Sequence, residues 1–360
     1  MTRTITALCI RFVLCALAVL SVTPAPSLAA EPQSHYALVN SALAKHVIPG
    51  VEALAATAAR LPEAVEMVCS KDDDAGREVL GSIFRETVLA WARIEFMRFG
   101  PLTEAGRRER ISFWPDPRGV MNRQLRQLLS GKDTMAISGG AIAKQSAALQ
   151  GLPALEVLIT DKQAPLAPGD ASAYRCALAL AIAENVKGIS SDLLQSWTKA
   201  GGWKDKMLRP GSDNDTYKEP KEAASELVKA LLVGFQLVGD GQVKPHIDAT
   251  APVSGPYAKS NLSALYYKAG VQSLEKLYNA MALESYLAPD KDWVKNWAGG
   301  AWKTMNASDG AGGRGDGVAK GDEPPVAKVL AMFSGMRKLV VAELSVAAGL
   351  TVGFNELDGD

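Results

Sequence analysis

The chain has 360 residues, with 39 Lys and Arg set against 39 Asp and Glu, and aromatic residues make up 6% of it. That balance excludes the broad basic face that counterion release rewards on nucleic acid. Three histidines, His35, His46 and His246, are too few for a histidine-rich metal centre, so any bound cation must take mostly oxygen ligands.

Residues 1–30 read as a signal peptide. Arg3 and Arg11 stand without an acid, Phe12 to Val22 form an apolar run, and Ser27-Leu28-Ala29-Ala30 supplies small residues for cleavage. The expectation is export to the periplasm or cell envelope. Neither Cys9 nor Cys15 follows the small residues of a lipoprotein signal, so no lipid anchor is expected. No later stretch reaches the roughly 18 uninterrupted apolar residues of a membrane span. Removing the segment takes two basic residues and no acid, leaving 37 minus 39, a formal charge of −2.

Helical periodicity then dominates. Residues 35–60, 78–98, 140–160, 171–200, 220–238, 258–287 and 323–348 place apolar residues at helical spacing, as Leu80, Phe84, Trp91 and Ile94 do in the second of these. Pro and Gly break the pattern at Phe99-Gly100-Pro101, around Trp114 to Pro117, at Ala164 to Gly169, at Arg209 to Asn214 and at Pro245 to Pro256. Residues 307–321 form a Gly-rich loop. Strand-like alternation is scarce. The expectation is an all-α protein of two packed, four-helix-bundle-like halves, residues 31–165 and 166–360.

Beyond the signal only Cys69 and Cys176 remain. In an oxidising compartment they predict one disulfide, whose loop of about a hundred residues is worth about 4 to 5 kcal/mol in the chain-entropy account. The alternative is two separate buried thiols, since free Cys packs as a small hydrophobe.

The candidate functional residues are polar groups in unexpected places. Leu149, Leu152, Glu156 and Ile159 follow 3, 4, 3 spacing, which sets Glu156 in an apolar stripe where it needs a cation or an Arg, Lys or backbone donor. Trp91, Arg93, Glu95 and Arg98 crowd one helix. Glu95 with Arg98 is either a plain i, i+3 ion pair or part of a site with Glu156 in which two carboxyls share a proton or hold a cation. In Phe113-Trp114-Pro115-Asp116-Pro117-Arg118-Gly119, two prolines fix the directions of Trp114, Asp116 and Arg118; Asp116 either serves the site or caps the following helix. His46 is the candidate nitrogen ligand beside Glu156, or else a hydrogen-bonded core residue. Asn355 and Asp358 in the C-terminal tail resemble part of a hard-cation site, unless Phe354 anchors the tail and the acids stay solvated.

Six segments carry a family resemblance: His46-Val47-Ile48-Pro49-Gly50, Trp91 with Arg93 before Phe99-Gly100-Pro101, Phe113 to Gly119, Gly151-Leu152-Pro153-Ala154-Leu155-Glu156, Ser260-Asn261-Leu262-Ser263, and Gly353 to Asp360. In order and approximate spacing the chain resembles the imelysin family. The resemblance implies an all-helical bacterial envelope protein, of a kind first described as metallopeptidases and since associated with iron acquisition. One departure matters: the family motif has a histidine three residues before the glutamate, and here that position is Pro153.

Three functions follow as expectations. The first is a non-catalytic envelope protein in metal uptake, with iron or another divalent or trivalent ion as ligand and envelope iron-transport components as partners. The second is a metallopeptidase, for which the chain has neither an HExxH pair nor the family histidine. The third is a structural envelope module using Trp293, Trp297 and Trp302 as a contact surface.

Overall fold

The computed structural model describes residues 34–71, 73–244, 255–308 and 325–352. The expected signal segment, His246, all but the first residues of the Gly-rich loop, and Asn355 and Asp358 lie outside the described residues. Those described form helices and turns without a strand, the all-α class expected.

Helix α1 (His35–Ala42) runs into α2 (Ile48–Ala58) through a π turn, Leu43–Val47. Pro49 explains the turn. It has no N–H for the helical ladder, and the wider π turn, in which the Ile48 N–H reaches the Leu43 carbonyl, absorbs the change of register. Helix α3 (Leu61–Ser70), absent from the sequence expectation, starts with Pro62 in its first turn, where the missing N–H has no partner to lose. Helix α4 (Asp74–Ala92) is capped by Asp73, which accepts the Gly76 N–H at 2.8 Å. It ends at Ala92, six residues short of expectation, in a run of turns.

Short helix α5 (Arg107–Ile111) leads to α6 (Val120–Gly131). The single helix expected over 140–160 is three pieces: a 3-10 segment, Ser138–Lys144, then α7 (Ala147–Gln150) and α8 (Leu152–Thr160). Gly151 divides the last two. A Cβ there would stand 2.2 Å from the Ile111 carbonyl oxygen, so this passage of the chain beside α5 requires glycine.

The break expected at 164–169 is the loop before α9 (Asp170–Thr198), the longest helix, followed by α10 (Trp203–Leu208). Helix α11 (Pro220–Gln236) opens with a Glu219/Glu222 capping box and continues into a second π turn, Leu237–Val243. Beyond it lie a 3-10 turn, Ala258–Ser260, and helices α12 (Ser263–Met281), α13 (Asp292–Asn306), α14 (Val326–Leu339) and α15 (Ser345–Ala347).

Helices on either side of residue 165 pack together: α2 and α3 lie on α9, and α1 lies on α11 and α12. The Cys69–Cys176 disulfide joins α3 to α9 across 107 residues, as expected. Trp91, Trp197, Tyr266, Phe84 and Phe96 are fully buried in one continuous core. Trp302 is buried against Phe235 and Tyr278, so it cannot share a contact surface with the exposed Trp293 and Trp297. No helix among the described residues is long and apolar enough to cross a membrane.

Candidate functional site

The turns after α4 are clamped from three sides. The Arg93 carbonyl accepts the Ser273 hydroxyl of α12 at 2.7 Å. Phe96 stacks on His46 at 5.7 Å between ring centres and closes on Gly234 of α11, where a Cβ would meet its ring at 3.1 Å. Ile94 packs so tightly on Gly50 that a Cβ there would lie 2.7 Å from its methyl group. The stretch from His46 to Gly50 is therefore the seat of this turn, and the turn holds Glu95.

Glu95 retains some exposed surface, but its carboxyl is enclosed, and burial raises its pKa from 4.5 to about 7. A hydrogen bond from the buried Tyr266 hydroxyl and the charges of Arg98 and Arg108 oppose that rise without cancelling it. The Gln242 side-chain amide donates to Glu95 Oε1 at 3.3 Å. The Trp91 indole lies beside the Tyr266 hydroxyl without a well-formed hydrogen bond.

Gln242 connects Glu95 to a cleft of about 760 Å³. Its walls are Trp114 and Pro115 on one side, Pro153 and Glu156 at the start of α8, Asp240 and Gln242 in the second π turn, and Tyr257 to Lys259. Glu156 is 6% exposed and accepts the Ser260 backbone N–H at 2.8 Å. Burial raises its pKa, and the amides of Ser260 and Lys259 together with the Lys259 charge hold the rise in check; the Ser260 hydroxyl is adjacent but out of good hydrogen-bond geometry. Left-handed backbone at Tyr257 and Asn261, φ 56° at each, brackets the 3-10 turn that carries this amide. The Tyr257 hydroxyl is paired with Ser112 at 2.8 Å and feels both Glu95 and Glu156.

The loop wall is built by Asp116. Its two carboxylate oxygens accept the N–H groups of Val120 and Met121, each at 2.9 Å, so it caps α6 and thereby sets Trp114 and the cis Trp114–Pro115 bond over the cleft. Of the two sequence readings of Asp116, the cap is what its oxygens do.

The sequence model of the imelysin family matches residues 42–308, well over half of the chain. The chain belongs to the imelysin family. A crystal structure of an imelysin-like protein from Psychrobacter arcticum 273-4 superposes with a TM-score of 0.72 at 17% identity, covering 90% of this chain and 99% of that one. A putative iron-regulated protein A precursor from Parabacteroides distasonis ATCC 8503 superposes with a TM-score of 0.66 at 13% identity, covering 89% and 96%. At these identities the likeness is one of fold. A search of curated proteins gives no match.

Within this imelysin fold the cleft gathers Trp114, Asp116 and Glu156, with Glu95 one hydrogen bond behind it and Trp91 behind Tyr266. Other candidates stand elsewhere. Because α4 stops at Ala92, the helical phase from Trp91 to Arg98 is broken: Arg93 is exposed and contributes its carbonyl, and Glu95 and Arg98 are not an i, i+3 helix pair. Arg98 acts on Glu95 by charge, while its buried Nε has no partner among the described residues. Arg118 is exposed beside Arg123. His46 faces Phe96 and the charge of Lys276, with burial holding its pKa down to about 3, and no described contact joins it to Glu156. Among the described residues no three His, Cys, Asp or Glu side chains converge as metal ligands do.

Sequence reasoning missed Gln242, Tyr257 and Tyr266. A signal existed for their neighbourhood, since Ser260 to Ser263 matched the family order. What it did not show is that the backbone amide of Ser260, not a side chain, is the partner of Glu156.

Proposed function

We propose that this chain is an exported, non-catalytic imelysin-like protein of the bacterial periplasm or envelope that holds a metal ion, iron foremost, in the cleft under the Trp114 loop and passes it to envelope transport components. The observation that carries the reading is the oxygen chemistry of the cleft. Glu156, Asp240 and Asp116 line one space, and carboxylate oxygens suit a hard cation. The described donors fit such an ion in kind and fall short of a complete shell. Iron is favoured over other ions by the iron-regulated name of the Parabacteroides relative.

Pro153 separates this reading from peptidase chemistry. It lines the cleft three residues before Glu156, in the first turn of α8, so the family motif's imidazole position is filled by a ring that cannot ligate. Calorimetric titration of the purified protein with ferrous, ferric and zinc ions tests the proposal. Glu156→Gln should weaken binding at least about tenfold, roughly the 1.4 kcal/mol of one charged contact. Absence of binding for all three ions overturns the metal reading, and chelator-sensitive peptidase activity that survives repurification overturns the non-catalytic one.

A further inference from the structure

We propose that the fold carries a second ligand site, where α5 and the Ser138–Lys144 segment meet α9, and that it takes a small monocarboxylate with an apolar body: Arg110 holds the carboxylate and a groove along α9 holds the chain. The site shares no lining residue with the cleft under the Trp114 loop, so it stands apart from the metal reading.

The cavity has a volume of about 590 Å³, within the range of small-molecule sites. Ile137, Ile142, Leu180, Ala181 and Ile189 give it an apolar lining. One face of α9 runs along it from Ala177 to Asp192, a length of about 22 Å at the rise of an α-helix. Gly188 lies on that face. A Cβ there would meet nothing within 4 Å, so no neighbouring atom demands glycine, although glycine weakens a helix interior. What the missing side chain leaves is room in the groove.

Arg110 is built into position. Its Nε donates to Gln150 Oε1 at 2.7 Å, and Gln150 is only 3% exposed. Gln150 is itself fixed: its side-chain amide donates to the carbonyls of Ala143 and Gln145, and its own carbonyl accepts Asn185 Nδ2 at 2.9 Å. The two terminal nitrogens of Arg110 have no partner among the described residues and are not enclosed. A guanidinium held through Nε presents those nitrogens as a fork, the geometry that matches the two oxygens of a carboxylate.

The other charges limit the headgroup to a single negative charge. Arg107 is already committed to the Pro101 carbonyl, Glu104 and Ser196. Glu184 pairs with Lys187 at 3.0 Å, and both Glu184 and Asp192 are exposed in the cavity wall, where they oppose a polyanion such as a phosphate ester. One free fork beside an apolar groove suits a monocarboxylate.

Octanoate is the probe. In calorimetric titration of the purified protein it should bind at one site per chain, with affinity rising by up to about fourfold for each added CH2 from butyrate through hexanoate to octanoate. Octylamine and 1-octanol, which keep the chain and lack the carboxylate, should bind at least about tenfold more weakly. Arg110→Lys keeps the charge and loses the fork, and should weaken octanoate binding at least about tenfold. Gly188→Leu is favourable for the helix itself, so it should fill the groove and abolish binding while the circular dichroism stays that of the parent. Failure of octanoate to bind at about 1 mM, equal binding of 1-octanol, or binding unchanged in either variant overturns the site.

Discussion

Glu95→Gln should make the protein more stable at alkaline pH and leave the gain absent in acid. Glu95 holds its proton in the folded state up to about pH 7, while in the unfolded chain it loses it near 4.5. Between those values the native state binds the extra proton, so raising the pH favours unfolding, and the protonated site's advantage is gone above about 7. The gap from 4.5 to about 7, at about 1.4 kcal/mol per pH unit, amounts to about 3 kcal/mol. Glutamine cannot ionise and can still pair with Tyr266 and Gln242. The difference in unfolding free energy between variant and parent should therefore grow by about 3 kcal/mol from about pH 4.5 to about pH 8. Urea titrations followed by circular dichroism at several pH values measure it. Glu156 and His46 titrate as well, but they are common to both proteins and largely cancel in the difference. A difference that does not change with pH refutes the enclosure of this carboxyl.

His46→Leu should act in the opposite direction: the folded histidine stays neutral down to about 3, so acid stabilises only the unfolded parent, and between about pH 6.5 and about pH 4.5 the variant should gain about 2 to 3 kcal/mol relative to it in urea titrations. Gly151→Ala should lose about 3 kcal/mol or more, because the added Cβ would stand 2.2 Å from the Ile111 carbonyl oxygen, a backbone atom that cannot turn aside as a side chain can; an unchanged urea midpoint would refute that packing. Replacing Cys69 and Cys176 by serine should lower stability by up to about 4 to 5 kcal/mol, given the 107-residue separation, and non-reducing peptide mapping of the parent should recover the linked pair. Pro153→His should raise zinc affinity by at least about tenfold, and by much less in combination with Glu156→Gln, since ligands to one ion are not additive.

The helical class and the disulfide were legible because they rest on local signals: period, composition and the count of cysteines beyond residue 30. Helix ends were less legible. Pro62 looks like a breaker in a string of letters and is a helix start in three dimensions, because the first turn of a helix has no use for its missing N–H, whereas the helix expected from residue 220 does start at Pro220. Gly151 could not be seen as a break, since what forbids a side chain there is the backbone of Ile111, forty residues earlier. The candidate site was readable to the extent that it uses charged side chains in apolar surroundings, as with Glu95 and Glu156. It was unreadable where the partner is a main-chain amide, as at Ser260, or a neutral amide in a Gly-rich turn, as at Gln242.

The segments shared with the imelysin family divide by what they touch. His46 and Gly50 never reach the cleft; they fit against Phe96 and Ile94 and fix the turn that presents Glu95. Asp116 spends both oxygens on the first turn of α6 and so sets the wall made by Trp114. Gly151 lets α8 start where Pro153 and Glu156 enter the cleft, and the Tyr257 to Asn261 turn supplies the amide that holds Glu156. A motif of this kind specifies positions more than chemistry. Pro153 fits the first turn of α8, where its missing N–H costs no hydrogen bond, and Glu156 keeps its Ser260 amide beside it. The same scaffold therefore carries a polar cleft lined by Glu156, with Glu95 one hydrogen bond behind it and a proline at the position three residues before Glu156.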